Sequence, residues 1–194
     1  MATGNAEATK ARILEVALSE FSAHGIAGAR VDRIAKEAGC NKNLLYIYFQ
    51  NKETLFTTVL ERNLRRVYDE LPFTPHDIPG YAGRVFDFAM DHPDLMRLMA
   101  WSNLEQRASR LPARGAAQEA MVEAMAAART DGGPGSGFDP AFVLTAVMTL
   151  ATAWSAGGSF GPALTPHLAD DPGALRASIS RAVALMVGAG PDDA

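Results

Sequence analysis

"CNKNLLYIYFQNK", Cys40–Lys52, is the stretch on which the reading of this chain turns. Six consecutive residues, Leu44 to Phe49, are aliphatic or aromatic. Ile, Tyr and Phe favour strands, but periodicity cannot separate a short apolar run in a strand from one in a buried helix. The preceding segment decides. "VDRIAKEAG", Val31–Gly39, reads as a short helix closed by Gly39. Asn41 can then cap a further helix by accepting from the free N–H groups of its first turn. Two helices joined at Gly39-Cys40-Asn41 make a helix-turn-helix, whose turn often holds a glycine. Ala35 supplies the small residue at the crossing, and Ile34, Ala38, Cys40 and Leu45 can fill the space between the helices.

Projected on a helix, the run divides. Leu45, Phe49 and Asn41 share one face, with Tyr48 on its flank and Leu44 to the side, while Asn43, Tyr46 and Ile47 lie opposite. Half of the run therefore faces away from the helices behind it. That outward face suits a DNA groove. Lys42 and Tyr46 can reach phosphates, Asn43 can bond adenine edges, and Leu44 or Ile47 can touch a thymine methyl. Tyr48 can pack its ring and still offer its hydroxyl. Arg30 and Arg33 are candidate phosphate contacts, with plain exposed arginines as the alternative.

Charge agrees with this placement. The 194 residues carry a formal net charge of −4, which argues against a generally basic nucleic-acid coat. Residues 1–55 hold seven Lys/Arg and six Asp/Glu, so the excess acid lies in the remainder, and the basic residues gather between Arg30 and Lys52. An anionic partner would meet the N-terminal quarter.

The rest of the chain also reads as helix. "ILEVALSEFSAHG" carries an apolar stripe that ends just after His24, with Gly25 as the stop. Asn51 can cap a fourth helix with Leu55, Phe56, Val59, Leu60, Leu64 and Val67 on one stripe. The prolines of "PFTPHDIPG" break the pattern, and helices follow at about 78–91, 93–110, 114–129, 139–157 and 172–188. "TDGGPGSG" reads as a flexible loop and "AGGSFGPALTPHLADDPG" as a Gly/Pro-rich connection before the last helix.

"ARVDRIAKEAGCNKNLLYIYFQNKETLF" resembles the DNA-binding segment of the TetR-like (tetracycline-repressor type) transcriptional regulators. Ile34, Ala35, Ala38, Gly39, Leu45, Tyr46, Tyr48, Phe49, Asn51, Lys52 and Leu55 match its pattern, and the likeness covers residues 10–56. It departs at Cys40, Asn41, Asn43, Leu44 and Ile47, and at Ala29 where Thr is frequent. The resemblance implies an all-α protein. Residues 1–52 would form a three-helix helix-turn-helix DNA-binding domain, and residues 53–194 a helical effector-binding and dimerisation domain. It implies that Lys52 grips a phosphate at the start of the fourth helix. It implies a homodimer on a palindromic double-stranded DNA operator, released by a small-molecule effector of largely apolar character. For the effector cavity the expected residues are Met96, Met99, Trp101, Met125 and Trp154, with His92 and Asn103 as polar anchors. The alternative is a helical small-molecule-binding or interaction protein that has lost operator binding.

Other chemistry finds little support. Four scattered histidines and one cysteine give no metal spacing and no disulfide. No nucleophile elbow or phosphate loop appears, since "GGPGSG" lacks a following Lys and a preceding strand. Neither an enzyme nor a cofactor is expected. With no signal peptide and no apolar run of the ~18–20 residues that span a bilayer, no membrane partner is expected and the expected location is cytoplasmic.

Overall fold

The structure, a computed structural model, describes residues 2–105, 112–128 and 137–188. Among these the regular structure is helical. The elements are α1 (Ala2–Gly28), α2 (Val31–Glu37), α3 (Lys42–Phe49), α4 (Lys52–Glu70), α5 (Ile78–Asp91), α6 (Pro93–Leu104), α7 (Pro112–Ala128), α8 (Pro140–Thr152), α9 (Gly161–Leu164) and α10 (Pro172–Val187), with a 3-10 turn at Pro166–Asp170 before α10.

Helix starts follow local chemistry. Asn41 accepts from the Leu44 N–H at 2.8 Å and Asn51 from the Thr54 N–H at 2.7 Å, as the sequence predicts. Asp77, Asp139 and Asp171 cap α5, α8 and α10 in the same way, each with a proline in the first turn. Gly25 breaks α1 where expected, with φ 63° and ψ −179°, but a further turn runs on to Gly28. Helix α8 ends at Thr152, short of the expected 157. Beyond it the chain folds back so closely that a Cβ on Gly158 would lie 2.0 Å from the Ala153 carbonyl oxygen. The Gly/Pro-rich connection is more ordered than its composition suggests, since it holds α9 and the 3-10 turn. Most of "TDGGPGSG", and the expected end of α6 beyond Glu105, lie outside the described residues.

The chain forms two compact units. The first contains residues up to Val67 together with α6, and the second contains Tyr68–Pro93 and α7 to α10. The first unit thus runs past Lys52 and takes in most of α4. The reason is burial: Leu55, Phe56, Val59 and Leu60 on α4 are enclosed, and the Phe56 ring meets Phe21 of α1 edge to face at 5.1 Å. Ile13, Ala17, Phe21, Ile34, Leu45 and Phe49 complete this core, each large side chain contributing roughly 1.5–3 kcal/mol by burial. In the second unit α5 packs against α8 and α10. Tyr81, Val85, Phe86, Val143, Val147, Leu175, Ile179 and Val183 form its core.

Candidate nucleic-acid interface

Helix α3 is a two-faced element held by its neighbours. Leu45 and Phe49 are buried, Leu44 and Tyr48 are half-buried, and Lys42, Asn43, Tyr46 and Ile47 are exposed. Ile47 is 73% exposed, too much for a core residue on a helix packed from behind. The turn before α3 is compact. Gly39 takes φ 66°, and the Cys40 N–H donates to the Ala35 carbonyl at 2.9 Å. Ala35 and Ala38 are buried, which allows α2 and α3 to cross closely. Cys40 is half-buried, and desolvation pushes its thiol pKa up despite the Arg12 charge.

The cationic side chains are placed unequally. Lys42, in the first turn of α3, lies 2.8 Å from the Asp32 carboxylate of α2 and 6.0 Å from the Tyr46 ring centre. The hydrogen bond and charge of Lys42 hold the Asp32 carboxyl below its ordinary range, and the same contact pushes the Lys42 ammonium up. Lys52 donates to the Ala27 and Ala29 carbonyls at 3.4 and 3.3 Å, tying the start of α4 to the end of α1. Its ammonium group is thereby held at the start of α4. Tyr48 lies under the Lys10 ammonium at 5.3 Å, at the edge of an open groove of about 420 Å³ lined by Lys10, Leu14, Tyr48, Phe49, Thr54 and Arg62.

Arg30 and Arg33 separate. Arg30 is exposed at the N-cap of α2, and its backbone N–H donates to the buried Glu20 carboxylate at 2.8 Å. Arg33, half-buried, reaches back to α1, 3.5 Å from the Glu20 carboxylate and 2.9 Å from His24 Nε2. A guanidinium only donates, so Nε2 accepts and the ring proton sits on Nδ1. In this arrangement Arg33 links α2 to α1. Glu20, Asp32 and Lys10 belong to no motif that marks them in the sequence. The only local signal was the four-residue spacing of Glu20 and His24, which places them on one helical face.

The expected effector residues are not gathered into one unit. Met96, Met99, Trp101 and Asn103 belong to the first unit, and His92, Met125 and Trp154 to the second. The Trp101 indole N–H donates to the Ser22 carbonyl at 3.2 Å, and its ring lies where a Cβ on Gly25 would come within 3.0 Å. Trp101 thus docks α6 on the break in α1. His92 stacks on Phe88 at 4.1 Å, Met125 is buried in the second core, and the Trp154 indole donates to Thr165 at 3.1 Å. Met96 and Met99 are half-buried and Asn103 is exposed. Among the described residues no group of three or more His, Cys, Asp or Glu is placed to hold a metal ion, and no helix is long and apolar enough to cross a membrane.

A protruding two-faced helix after a tight glycine turn, with cations at its start and along its flank, defines a helix-turn-helix regulator. Residues 13–59 match the model of bacterial regulatory proteins of the tetR family, and residues 77–184 match the tetracyclin repressor-like C-terminal domain. The chain belongs to the tetR family of DNA-binding transcriptional regulators. It is similar to the HTH-type transcriptional repressor SCO4008 of Streptomyces coelicolor, with 46% identity over 129 residues, covering 66% of this chain and 67% of that protein. The HTH-type transcriptional repressor NicS of Pseudomonas putida is 32% identical over 109 residues, 52% of this chain and 51% of NicS. The crystal structure of SCO4942 from Streptomyces coelicolor is similar with a TM-score of 0.77 at 37% identity, covering 94% of this chain and 99% of that one.

Proposed function

We propose that this protein is a repressor that binds a palindromic operator as a homodimer and is released by a small, largely apolar effector. The exposed face of α3 carries the reading: Lys42, Asn43, Tyr46 and Ile47 stand outward over the buried anchors Leu45 and Phe49. Lys42, Tyr46, Tyr48, Lys52 and Arg30 meet phosphates, while Asn43, Leu44 and Ile47 meet base edges. Repression is supported by the names of the relatives SCO4008 and NicS. Dimerisation is supported by the exposed Phe142 and Met148 on α8 and Leu185 on α10, a surface that suits a second copy of the chain. Two recognition helices would then lie about one DNA turn apart, ~34–36 Å. In the second unit, the adaptable side chains of Met90, Met121 and Trp154 flank the core and favour an apolar effector. Effector and operator would each weaken the other, typically by ~1–3 kcal/mol.

A gel shift with the upstream region of its own operon tests this. The wild type should bind with steep salt dependence, and Tyr46→Phe and Lys52→Ala should each weaken binding by roughly 5–10-fold, the worth of about one charged or neutral hydrogen bond. Salt-insensitive binding, or none at low salt, would favour the interaction-protein alternative.

A further inference from the structure

Asp32 sits in the first turn of α2, where the helix start favours a carboxylate, and its side chain also reaches α3. Its carboxylate reaches the first turn of α3, the helix whose exposed face carries Lys42, Asn43 and Tyr46. Its carboxylate is 2.8 Å from the Lys42 ammonium, and both side chains are largely exposed, at 60% and 49%. As a stability element such a pair contributes little, because water competes for both ions. Its effect on charge is larger. Lys42 leads the recognition helix, where the partial positive charge of the helix start adds to its own. With Asp32 in place that cation is neutralised at the surface that must meet phosphate. Arg33, on the same helix as Asp32, is already committed to Glu20 and His24.

Resting on the DNA-binding reading, we infer that Asp32 is a specificity-determining residue, which keeps Lys42 off phosphate on non-cognate DNA and releases it only at the operator. Non-specific binding depends almost wholly on phosphate contacts. In a loosely seated complex the phosphates stay at a distance from which the negative charge of Asp32 cancels that of Lys42, so Lys42 adds no net attraction. At the operator, contacts from Asn43, Tyr46 and Ile47 seat α3 deeply in the groove, and Lys42 moves to a phosphate. The acid thereby widens the ratio of specific to non-specific affinity, which is the quantity that matters against a genome of competing sites.

The test compares wild type, Asp32→Asn, and Asp32→Asn combined with Lys42→Gln. Each is titrated by fluorescence anisotropy against a random-sequence duplex and against a duplex selected by the wild type from a randomised pool. On the random duplex Asp32→Asn should steepen the log–log salt slope by about 0.9, one further phosphate contact. Over a fourfold rise in salt the variant's affinity should fall roughly 3.5-fold further than that of wild type. The operator slope should stay unchanged, so the specificity ratio falls. Adding Lys42→Gln should restore the wild-type slope on the random duplex. Asp32→Ser serves as a second variant with the same expected result, and a thermal melt verifies folding. Equal slope changes on both duplexes, or none on the random one, would overturn the inference. So would a drop in operator affinity confined to one base pair, which would make Asp32 a base reader. Absence of binding by wild type and variants to either duplex at low salt removes the DNA-binding reading, and the inference with it.

Discussion

Helices α3 and α8 are both mostly apolar, yet their exposed faces are built differently. On α3, Asn43 and Tyr46 bring polar groups to the surface beside Ile47. On α8 the exposed hydroxyls turn back on their own helix. Thr145 donates to the Ala141 carbonyl, Thr149 to Thr145 and Thr152 to Met148, each at 2.7 Å. Such back-bonding leaves methyl groups outward, next to Phe142 and Met148. A face whose polar groups are already satisfied suits packing against another apolar surface. A face that keeps donors and acceptors available suits reading a polar ligand. By this difference the face of α3 suits the proposed DNA contact and that of α8 the proposed contact with a second chain.

Five substitutions put that contrast at risk, in falling order of effect. Phe21→Ala empties the first core and Phe86→Ala the second, both sites being almost fully enclosed. Each should cost about 3–5 kcal/mol in urea unfolding. Phe21→Ala should also abolish DNA binding, since Phe21 supports α4 through Phe56. If Phe86→Ala alone abolished it, the division of labour between the units would fail. Gly25→Ala should cost about 1–3 kcal/mol, because the residue holds φ +63° and its new Cβ would press the Trp101 ring. The unfolding midpoint would fall, and the tryptophan emission should shift as the indole is displaced. Phe142→Arg should leave monomer stability within about 0.5 kcal/mol while weakening self-association tenfold or more, read by sedimentation velocity. An unaltered dimer would move the interface elsewhere. Ile47→Ala should leave folding intact and change only the preference among operators at thymine-rich positions, by about 1 kcal/mol for each thymine methyl that the shorter side chain no longer reaches. Unchanged preference would leave α3 reading by hydrogen bonds alone.

The contrast also explains which parts are legible in the sequence. Asn41 and Asn51 cap residues three positions on, and Leu45 and Phe49 repeat at one helical turn. Signals of this range survive in a linear string, as do the Asp-Pro starts of α8 and α10. The C-terminal half offers only generic apolar stripes, in which a core methionine and a cavity methionine read alike. That is why Trp101 reads as a cavity residue in the sequence. Nothing near it in the chain announces a bond to Ser22, 79 positions away.

An all-helical chain, a helix-turn-helix near its start and an outward face on α3 follow from the order of residues alone. Helical periodicity and capping act within a few residues and need no distant partner. How the cations of that module are employed follows only from the packed fold. Arg33 is drawn to Glu20 across thirteen positions, Lys42 to Asp32 across ten, and Lys52 to the end of α1. A charged side chain's partner depends on which helices are brought together, and that is settled by packing rather than by neighbours in the chain.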